Sequence, residues 1–165
     1  MRIRPLLVAD DPLLSVATLG NVNWSGERFT AQDVAQEPAL RHYCHLVPGR
    51  GDFGLVAEED GEPSGRDGGV LGMAWALFLP SEEPGFGFVD ASTPELSLWV
   101  REGSRGRGVG RLLLRALQQE ALRRGVGTLS LSVEEGNRAR MLYAAEGFVP
   151  VEGREQDGVM NWSGP

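Results

Sequence analysis

The chain has 165 residues, 41% of them hydrophobic and 24% charged, which predicts one domain spanning residues 1–165 around a sizeable core. Its formal net charge of −7 argues against a nucleic-acid binder, because such proteins usually present a positive surface. No apolar run approaches the roughly 20 residues that cross a bilayer, and the N-terminus lacks the apolar stretch of a signal peptide, so we expect a cytoplasmic protein that binds no membrane.

The first half of the chain predicts a strand, two helices and two strands joined by an open hairpin loop over residues 59–69. Asp10 or Asp11 is expected to cap the first helix, with Pro12 in its first turn. Thr30 and Asp33 resemble a capping box at the start of the second helix. The predicted elements cover residues 3–6, 13–23, 30–37, 53–58 and 70–79.

The second half predicts a strand, a long amphipathic helix, a strand, a short helix and two more strands. Gly125 and Gly147 are expected to end the two helices. The whole order predicts a mixed α/β sheet with helices on both faces. The predicted elements cover residues 96–100, 109–124, 129–133, 137–146, 148–151 and, as an edge strand, 159–162.

A glycine-rich turn, RGRGVG at residues 105–110, lies between a predicted strand and the long predicted helix. Free N–H groups at a helix N-terminus bind phosphate, glycines let the backbone approach it, and arginines add positive charge. The turn therefore predicts a phosphate-binding site. The alternative is a plain glycine-rich connection between solvated arginines.

Three phosphate-binding motifs can be compared with this turn. A Walker loop ends in Gly-Lys-Ser/Thr, and the chain contains no lysine. A dinucleotide fingerprint needs a third glycine where Arg111 stands. The coenzyme A loop, Gln/Arg-x-x-Gly-x-Gly/Ala, is matched by Arg105, Gly108 and Gly110.

The segments around the turn resemble the GNAT superfamily of N-acetyltransferases in order and spacing. They read ELSLWV at 95–100, RGRGVGRLL at 105–113, SLSV at 130–133, NRARMLY at 137–143 and EGF at 146–148. This resemblance implies a GNAT-like acyl-CoA N-acyltransferase fold, an α/β sheet that splays at its centre and carries helices on both faces. It also implies acetyl-CoA as the acetyl donor, an amine as the acceptor, and no metal.

The resemblance further implies which residues bind coenzyme A. Its pyrophosphate would meet backbone N–H groups of the turn, and Trp99 and Val100 would pair with the pantetheine arm as a neighbouring strand does. Asn137 would bond the same arm, although it could also cap the helix that follows. The implied cofactor-binding residues are Leu98, Trp99, Val100, Arg105, Gly106, Arg107, Gly108, Val109, Gly110, Arg111 and Asn137.

Two residues match positions that act in catalysis in this family. Tyr143 would protonate the departing thiolate as general acid, and Glu95 would act as general base on the amine, directly or through water. Strand alternation predicts that Glu95, Ser97 and Trp99 share one face. Each catalytic candidate has a plain alternative, a tyrosine at the edge of the core and a glutamate at the surface.

The general base is expected to contribute more than the general acid. A lysine-like amine has a pKa of about 10.4, so supplying its neutral form at pH 7 is worth up to roughly 4–5 kcal/mol. The leaving thiol has a usual pKa of about 8.5 and needs only about 2 kcal/mol. Losing the base should therefore cost more rate than losing Tyr143. Glu82 and Asp90 are weaker candidates for this base.

Other conspicuous side chains support weaker hypotheses. His42, Cys44 and His45 lie close together, but no second pair of ligands accompanies them, so we expect no metal site. Three aromatic residues either line the acceptor pocket, as the corresponding regions do in the family, or pack in the ordinary way. They are Trp24, Phe86 and Phe88.

Three functions are consistent with these observations. The leading one is transfer of an acetyl group to the primary amine of a small molecule. The alternatives are a protein or peptide N-acetyltransferase and a non-catalytic module that senses acyl-CoA. Because the family often forms dimers, the predicted edge strand at 159–162 could contribute to a homodimer.

Overall fold

The computed structural model describes residues 1–61 and 69–165, so most of the predicted hairpin loop at 59–69 lies outside the described residues. The strands are β1 Arg2–Pro5, β2 Phe53–Glu58, β3 Val70–Leu77, β4 Glu95–Val100, β5 Thr128–Ser132, β6 Val149–Pro150 and β7 Val159–Ser163. The helices are α1 Asp11–Val22, α2 Ala31–Gln36, α3 Pro38–Arg41, α4 Val109–Arg123 and α5 Ala139–Ala145. The predicted order is confirmed, and α3 was not predicted because four residues are too few to show a periodicity.

The predicted helix starts are confirmed in position, with one difference in chemistry. Thr30 caps α2 and forms a reciprocal capping box with Asp33. Asp10 occupies the N-cap position of α1, but its carboxylate accepts hydrogen bonds from Leu7 N–H and from both terminal nitrogens of Arg4 instead of capping α1. The start of α1 is therefore tied to β1 by an ion pair.

The described strands form one sheet in the order β1-β2-β3-β4-β5-β7-β6. The β4–β5 pair is parallel and every other neighbouring pair is antiparallel. The prediction of an edge strand at 159–162 is wrong, because β7 pairs with β5 on one side and with β6 on the other. The two-residue strand β6 takes the edge of the sheet beside Met160 and Asn161 of β7. A strand's own alternation does not report which strands flank it.

The core lies on both faces of this sheet, as predicted. On one face α4 and α5 bury residues such as Leu113, Leu117 and Tyr143 against the strands. On the other face α1 buries Leu14 and Ala17. Strand β3, buried along its whole length, lies between the two layers.

The sheet splays between β4 and β5, which confirms the fold expected from the resemblance. The two strands pair at Glu95 and Ser130, and Ser130 N–H donates to the carbonyl of Pro94 at 3.1 Å. Beyond this point towards Val100 the strands part. The backbone of β4 that faces β5 is thereby left open to a ligand.

Candidate active site

A cleft of about 1370 Å³ opens where β4 and β5 part. Its walls come from β4, from the glycine-rich turn and the start of α4, from the segment that follows β5, and from the end of α1. Both catalytic candidates, Glu95 and Tyr143, line it. The fold therefore brings the predicted cofactor turn and the predicted acid and base into one cavity.

The glycine-rich turn leads into α4 as predicted. Gly106 and Gly108 have φ angles of 75° and 81°, a left-handed conformation that glycine adopts without strain. Gly108 is the N-cap residue and offers no side chain to the first N–H groups of the helix, whose first bond runs from Leu112 N–H to Gly108 O at 3.0 Å. The N–H groups of the first turn have no acceptor within the helix and can bind an anion.

The arginines of the turn differ in position. Arg105 lines the cleft, and its Nε donates to the carbonyl of Val100 at 3.3 Å. Arg111 also lines the cleft, but its Nε pairs with Glu146 at 3.0 Å, which offsets its charge. Arg107 is exposed and lies outside the cleft lining. Of these three arginines, Arg105 is therefore the one expected to add most to the positive potential of the helix N-terminus inside the cleft.

Strand β4 presents alternate side chains to opposite faces, as predicted. Trp99 packs in the layer of α1, and Leu98 and Val100 pack in the layer of α4. All three residues line the cleft. Asn137 lines it too, and its Oδ1 accepts the N–H of Ala139 at 3.0 Å. The N-cap residue of α5 is Arg138, so Asn137, which was predicted as the cap, lies one position before it.

Glu95 is only 4% exposed, so it is not a surface glutamate. Its Oε1 accepts the hydroxyl of Tyr43 at 2.6 Å and the N–H of Gly87 at 2.9 Å. Its Oε2 is buried and has no hydrogen-bond partner among the described residues. Burial raises the pKa of Glu95, and the hydrogen bonds from Tyr43 and Gly87 partly oppose that rise. A carboxyl with a raised pKa is suited to proton transfer near neutral pH.

A short loop, loop 85–87, covers this carboxylate. A Cβ at position 85 would collide with Glu95 Oε2 and with the hydroxyl of Tyr43, and a Cβ at position 87 would collide with the backbone of β5. Glycine at both positions therefore allows the loop to approach Glu95. The two weaker candidates for the base, Glu82 and Asp90, are exposed and lie outside the cleft lining.

Tyr143 is 7% exposed and projects from α5 into the same cleft. Its ring packs edge-on against Phe148, with the ring centroids 5.9 Å apart. Burial raises the pKa of Tyr143 to about 12, so its hydroxyl remains protonated at neutral pH. A protonated phenol in this place can donate to a departing sulfur.

Tyr43 is a residue of the cleft that sequence reasoning missed. It lies in the turn His42–Cys44 after α3, is buried, and lines the cleft beside Glu95. Its contact with Glu95 joins positions 52 residues apart, and no local pattern marks it. A lone aromatic residue between two histidines offered no signal for this role.

The aromatic candidates take separate places. Trp24 and Phe86 line the cleft, and Phe86 is 53% exposed, whereas Phe88 packs in the layer of α1. Trp24 Nε1 donates to Glu134 Oε2 at 2.9 Å, and Arg28 pairs with Glu134 Oε1 at 2.9 Å. These bonds join the segment after α1 to the segment after β5 across the cleft.

Within the described residues, His, Cys, Asp and Glu side chains form no group of three that could hold a metal ion. His42 packs edge-on against Tyr43, and Cys44 is buried. Among the same residues, no helix is both long enough and apolar enough to cross a membrane.

Comparison with known proteins places this geometry in a family. The model of the acetyltransferase (GNAT) family matches residues 19–148. A mycothiol acetyltransferase of Beutenbergia cavernae is 39% identical over 95 residues, which are 56% of this chain and 29% of that protein. The chain therefore spans under a third of the length of this relative.

Solved structures show the same fold over nearly the whole chain. The ribosomal-protein-alanine N-acetyltransferase of Brucella melitensis is 28% identical, with a TM-score of 0.62 and coverage of 99% of both chains. YncA of Salmonella typhimurium, solved with its cofactor acetyl-CoA, is 24% identical, with a TM-score of 0.62 over 99% of this chain and 93% of that one. Because the family model covers most of the chain, and the glycine-rich turn, splayed strands and cleft agree with it, the chain belongs to the acetyltransferase (GNAT) family.

Proposed function

We propose that this chain transfers the acetyl group of acetyl-CoA to a primary amine by direct attack of the amine on the thioester. One observation carries the proposal: a single cleft joins a helix N-terminus without a side-chain cap to a buried carboxylate and a buried phenol. The first feature suits a pyrophosphate, and the other two suit proton transfer. A module that only sensed acyl-CoA would need neither Glu95 nor Tyr143.

The cofactor end of the cleft fits a diphosphate. A Cβ at Gly106 or Gly108 would meet nothing within 4 Å, so the space in front of the helix N-terminus is open. The N–H groups from Val109 to Arg111 would bind the pyrophosphate there. The open backbone of Trp99 and Val100 would pair with the pantetheine arm, and Asn137 would bond it from the opposite wall.

The chemical end of the cleft divides proton transfer between two residues. Glu95 would take a proton from the ammonium group of the acceptor and so free the lone pair that attacks the thioester, because burial makes its carboxylate more basic than an exposed one. Tyr143 would donate to the leaving sulfur. A backbone N–H of β4 would polarise the thioester carbonyl, as donors in an oxyanion hole do.

The acceptor is proposed to be a small molecule. The bonds from Trp24 and Arg28 to Glu134 tie two walls together, which favours a compact acceptor over an extended peptide. The name of the Beutenbergia relative points to a small molecule, whereas that of the Brucella structure points to a ribosomal-protein alanine. The second name keeps a peptide α-amine as the alternative acceptor.

Two measurements test this function. Calorimetric titration of acetyl-CoA should show binding to the wild type and to Gly103→Trp, since Gly103 is exposed and lies outside the cleft lining. Gly108→Trp should lose binding, because it fills the cradle and strains a left-handed residue. Coenzyme A release should then be followed with free amines and with peptides. Absence of binding to folded wild type would reject the proposal.

A further inference from the structure

The hydroxyl of Tyr43 is fixed on both sides. It donates to Glu95 Oε1 at 2.6 Å, and the backbone N–H of Phe86 donates to it at 2.8 Å. A hydroxyl has one hydrogen, and because the N–H of Phe86 can only donate, that hydrogen goes to the carboxylate. The phenol ring is fixed as well, since it stacks on Phe86 and packs edge-on against His42.

The two oxygens of the Glu95 carboxylate are therefore unequal. Oε1 already accepts two hydrogen bonds, from Tyr43 and from Gly87 N–H. Oε2 is buried and has no partner among the described residues. A proton on Oε1 would find no acceptor, because the Gly87 N–H only donates and the Tyr43 hydroxyl already directs its hydrogen towards Oε1. A proton taken up by Glu95 consequently belongs on Oε2.

We propose that Tyr43 is the positioning residue of the general base: its hydroxyl holds the Glu95 carboxylate in one orientation and leaves Oε2 as the oxygen that takes up the proton of the amine, directly or through water. This inference rests on the proposed function. Tyr43 acts through Glu95 and transfers no proton itself.

Among the described residues, few groups around Glu95 can act on the protonation of its carboxylate besides the hydroxyl of Tyr43. In the turn after α3, Tyr43 is the titratable group that contacts the carboxylate. His42 packs against the ring of Tyr43, and the pKa of His42 is lowered mainly by burial. Loop 85–87 contributes a backbone N–H, and β5 contributes the neutral Ser130. Burial and the charge of Glu95 raise the pKa of Tyr43 far above its usual range, so its phenol remains a donor at every working pH.

Tyr43→Phe tests the proposal, because it removes the hydroxyl and keeps the ring between Phe86 and His42. A hydrogen bond to a charged group stabilises it by roughly one pKa unit or more. The acid limb of the pH profile of kcat/KM should therefore move up by about one pH unit, with activity recovering at higher pH. The KM for acetyl-CoA should stay unchanged.

A control separates positioning from packing. Trp75 Nε1 donates to the carbonyl of Tyr43 at 3.1 Å, so Trp75→Phe disturbs the same turn without touching the hydroxyl. It should lower the Tm and leave the acid limb where it is. If Trp75→Phe moved the limb as far as Tyr43→Phe, the effect would be structural and the proposal would be overturned.

A second readout does not depend on turnover. The carboxyl carbon of Glu95, assigned by its absence in Glu95→Gln, can be titrated by NMR in protein labelled with ¹³C-glutamate. Its midpoint should rise by about one pH unit in Tyr43→Phe, and an unchanged midpoint would overturn the role of Tyr43. If Glu95→Gln kept the acid limb of the pH–rate profile, Glu95 would not be the base and the proposed function would fail. The NMR titration would still test whether the Tyr43 hydroxyl lowers the pKa of Glu95.

Discussion

Glu95 on β4 lies opposite Ser130 on β5, and this parallel pair stands where the two strands part. The proposed base is thereby anchored at the closed end of the cleft, on backbone that the sheet still holds. The residues proposed to bind the pantetheine arm follow directly along the same strand, where its backbone is open. One strand thus carries the proposed base at its start and the residues proposed to bind the cofactor at its end.

Replacing Glu95 by glutamine should lower kcat/KM at pH 7 by about 100-fold or more, because the amide cannot accept the proton of the ammonium group. The acid limb of the pH profile should disappear as well. Glu82→Gln is the matched control, since Glu82 is exposed and lies outside the cleft lining, and it should retain full activity. Steady-state rates of coenzyme A release measure both variants, and full activity in Glu95→Gln would contradict the assignment.

Replacing Tyr143 by phenylalanine should lower kcat by about 10-fold, less than the loss of Glu95, since the thiolate needs less help than the ammonium group. The pKa of Tyr143 is about 12, so its deprotonation should produce no alkaline limb below about pH 10. Single-turnover rates with acetyl-CoA as donor check both statements. A larger loss in Tyr143→Phe than in Glu95→Gln would reverse the order of importance.

The two glycines of loop 85–87 should respond differently to alanine. A Cβ at position 85 meets the ends of two side chains, Glu95 and Tyr43, so Gly85→Ala should displace the carboxylate and lower kcat/KM by about 10-fold or more at a small cost in Tm. A Cβ at position 87 meets the backbone of β5, which cannot yield, so Gly87→Ala should destabilise the fold by about 1–3 kcal/mol.

The matched control for both variants is Gly49→Ala, because a Cβ there would meet nothing within 4 Å. Thermal unfolding and rate assays of the three variants should separate the effects. Equal losses of Tm in Gly85→Ala and Gly87→Ala would contradict the distinction between side-chain and backbone collisions.

The ion pairs of Arg4 predict acid-sensitive stability. Burial alone would raise the pKa values of Asp10 and Glu58. Hydrogen bonds from Arg4 and from Leu7 N–H lower the pKa of Asp10 below its usual value, and hydrogen bonds from Arg4 and Arg2 do the same for Glu58. A carboxyl whose pKa is lower in the folded state than in the unfolded state stabilises the fold fully at pH values above its unfolded-state pKa. This stabilisation is lost as the pH falls through its folded-state pKa. The free energy of unfolding should therefore decrease as pH falls below about 4.

Arg4→Met keeps the apolar stem and removes the guanidinium. It should lower the free energy of unfolding at pH 7 by about 2 kcal/mol and flatten the decrease at acid pH. Urea denaturation at pH 7 and at lower pH measures this. An acid dependence as steep as that of the wild type would show that other carboxylates cause it.

Local sequence patterns were sufficient for most elements and for the position of the glycine-rich turn. The apolar spacing of α4, the alternation of β4 and the glycines at 106 and 108 each act within a few neighbouring residues, and such relations are visible in a sequence. Glu95 and Tyr143 became candidates through the resemblance to the family's motifs and their spacing.

Tertiary structure alone decided which strands are neighbours and what surrounds the base. The position of β7 inside the sheet depends on β6 pairing beyond it, and the bond between Tyr43 and Glu95 joins residues 52 positions apart. Loop 85–87 closes over the carboxylate by donating one N–H to Tyr43 in the turn after α3 and another to Glu95 at the start of β4. Periodicity records which side of an element is apolar, whereas the partner that covers that side is set by packing of the whole chain.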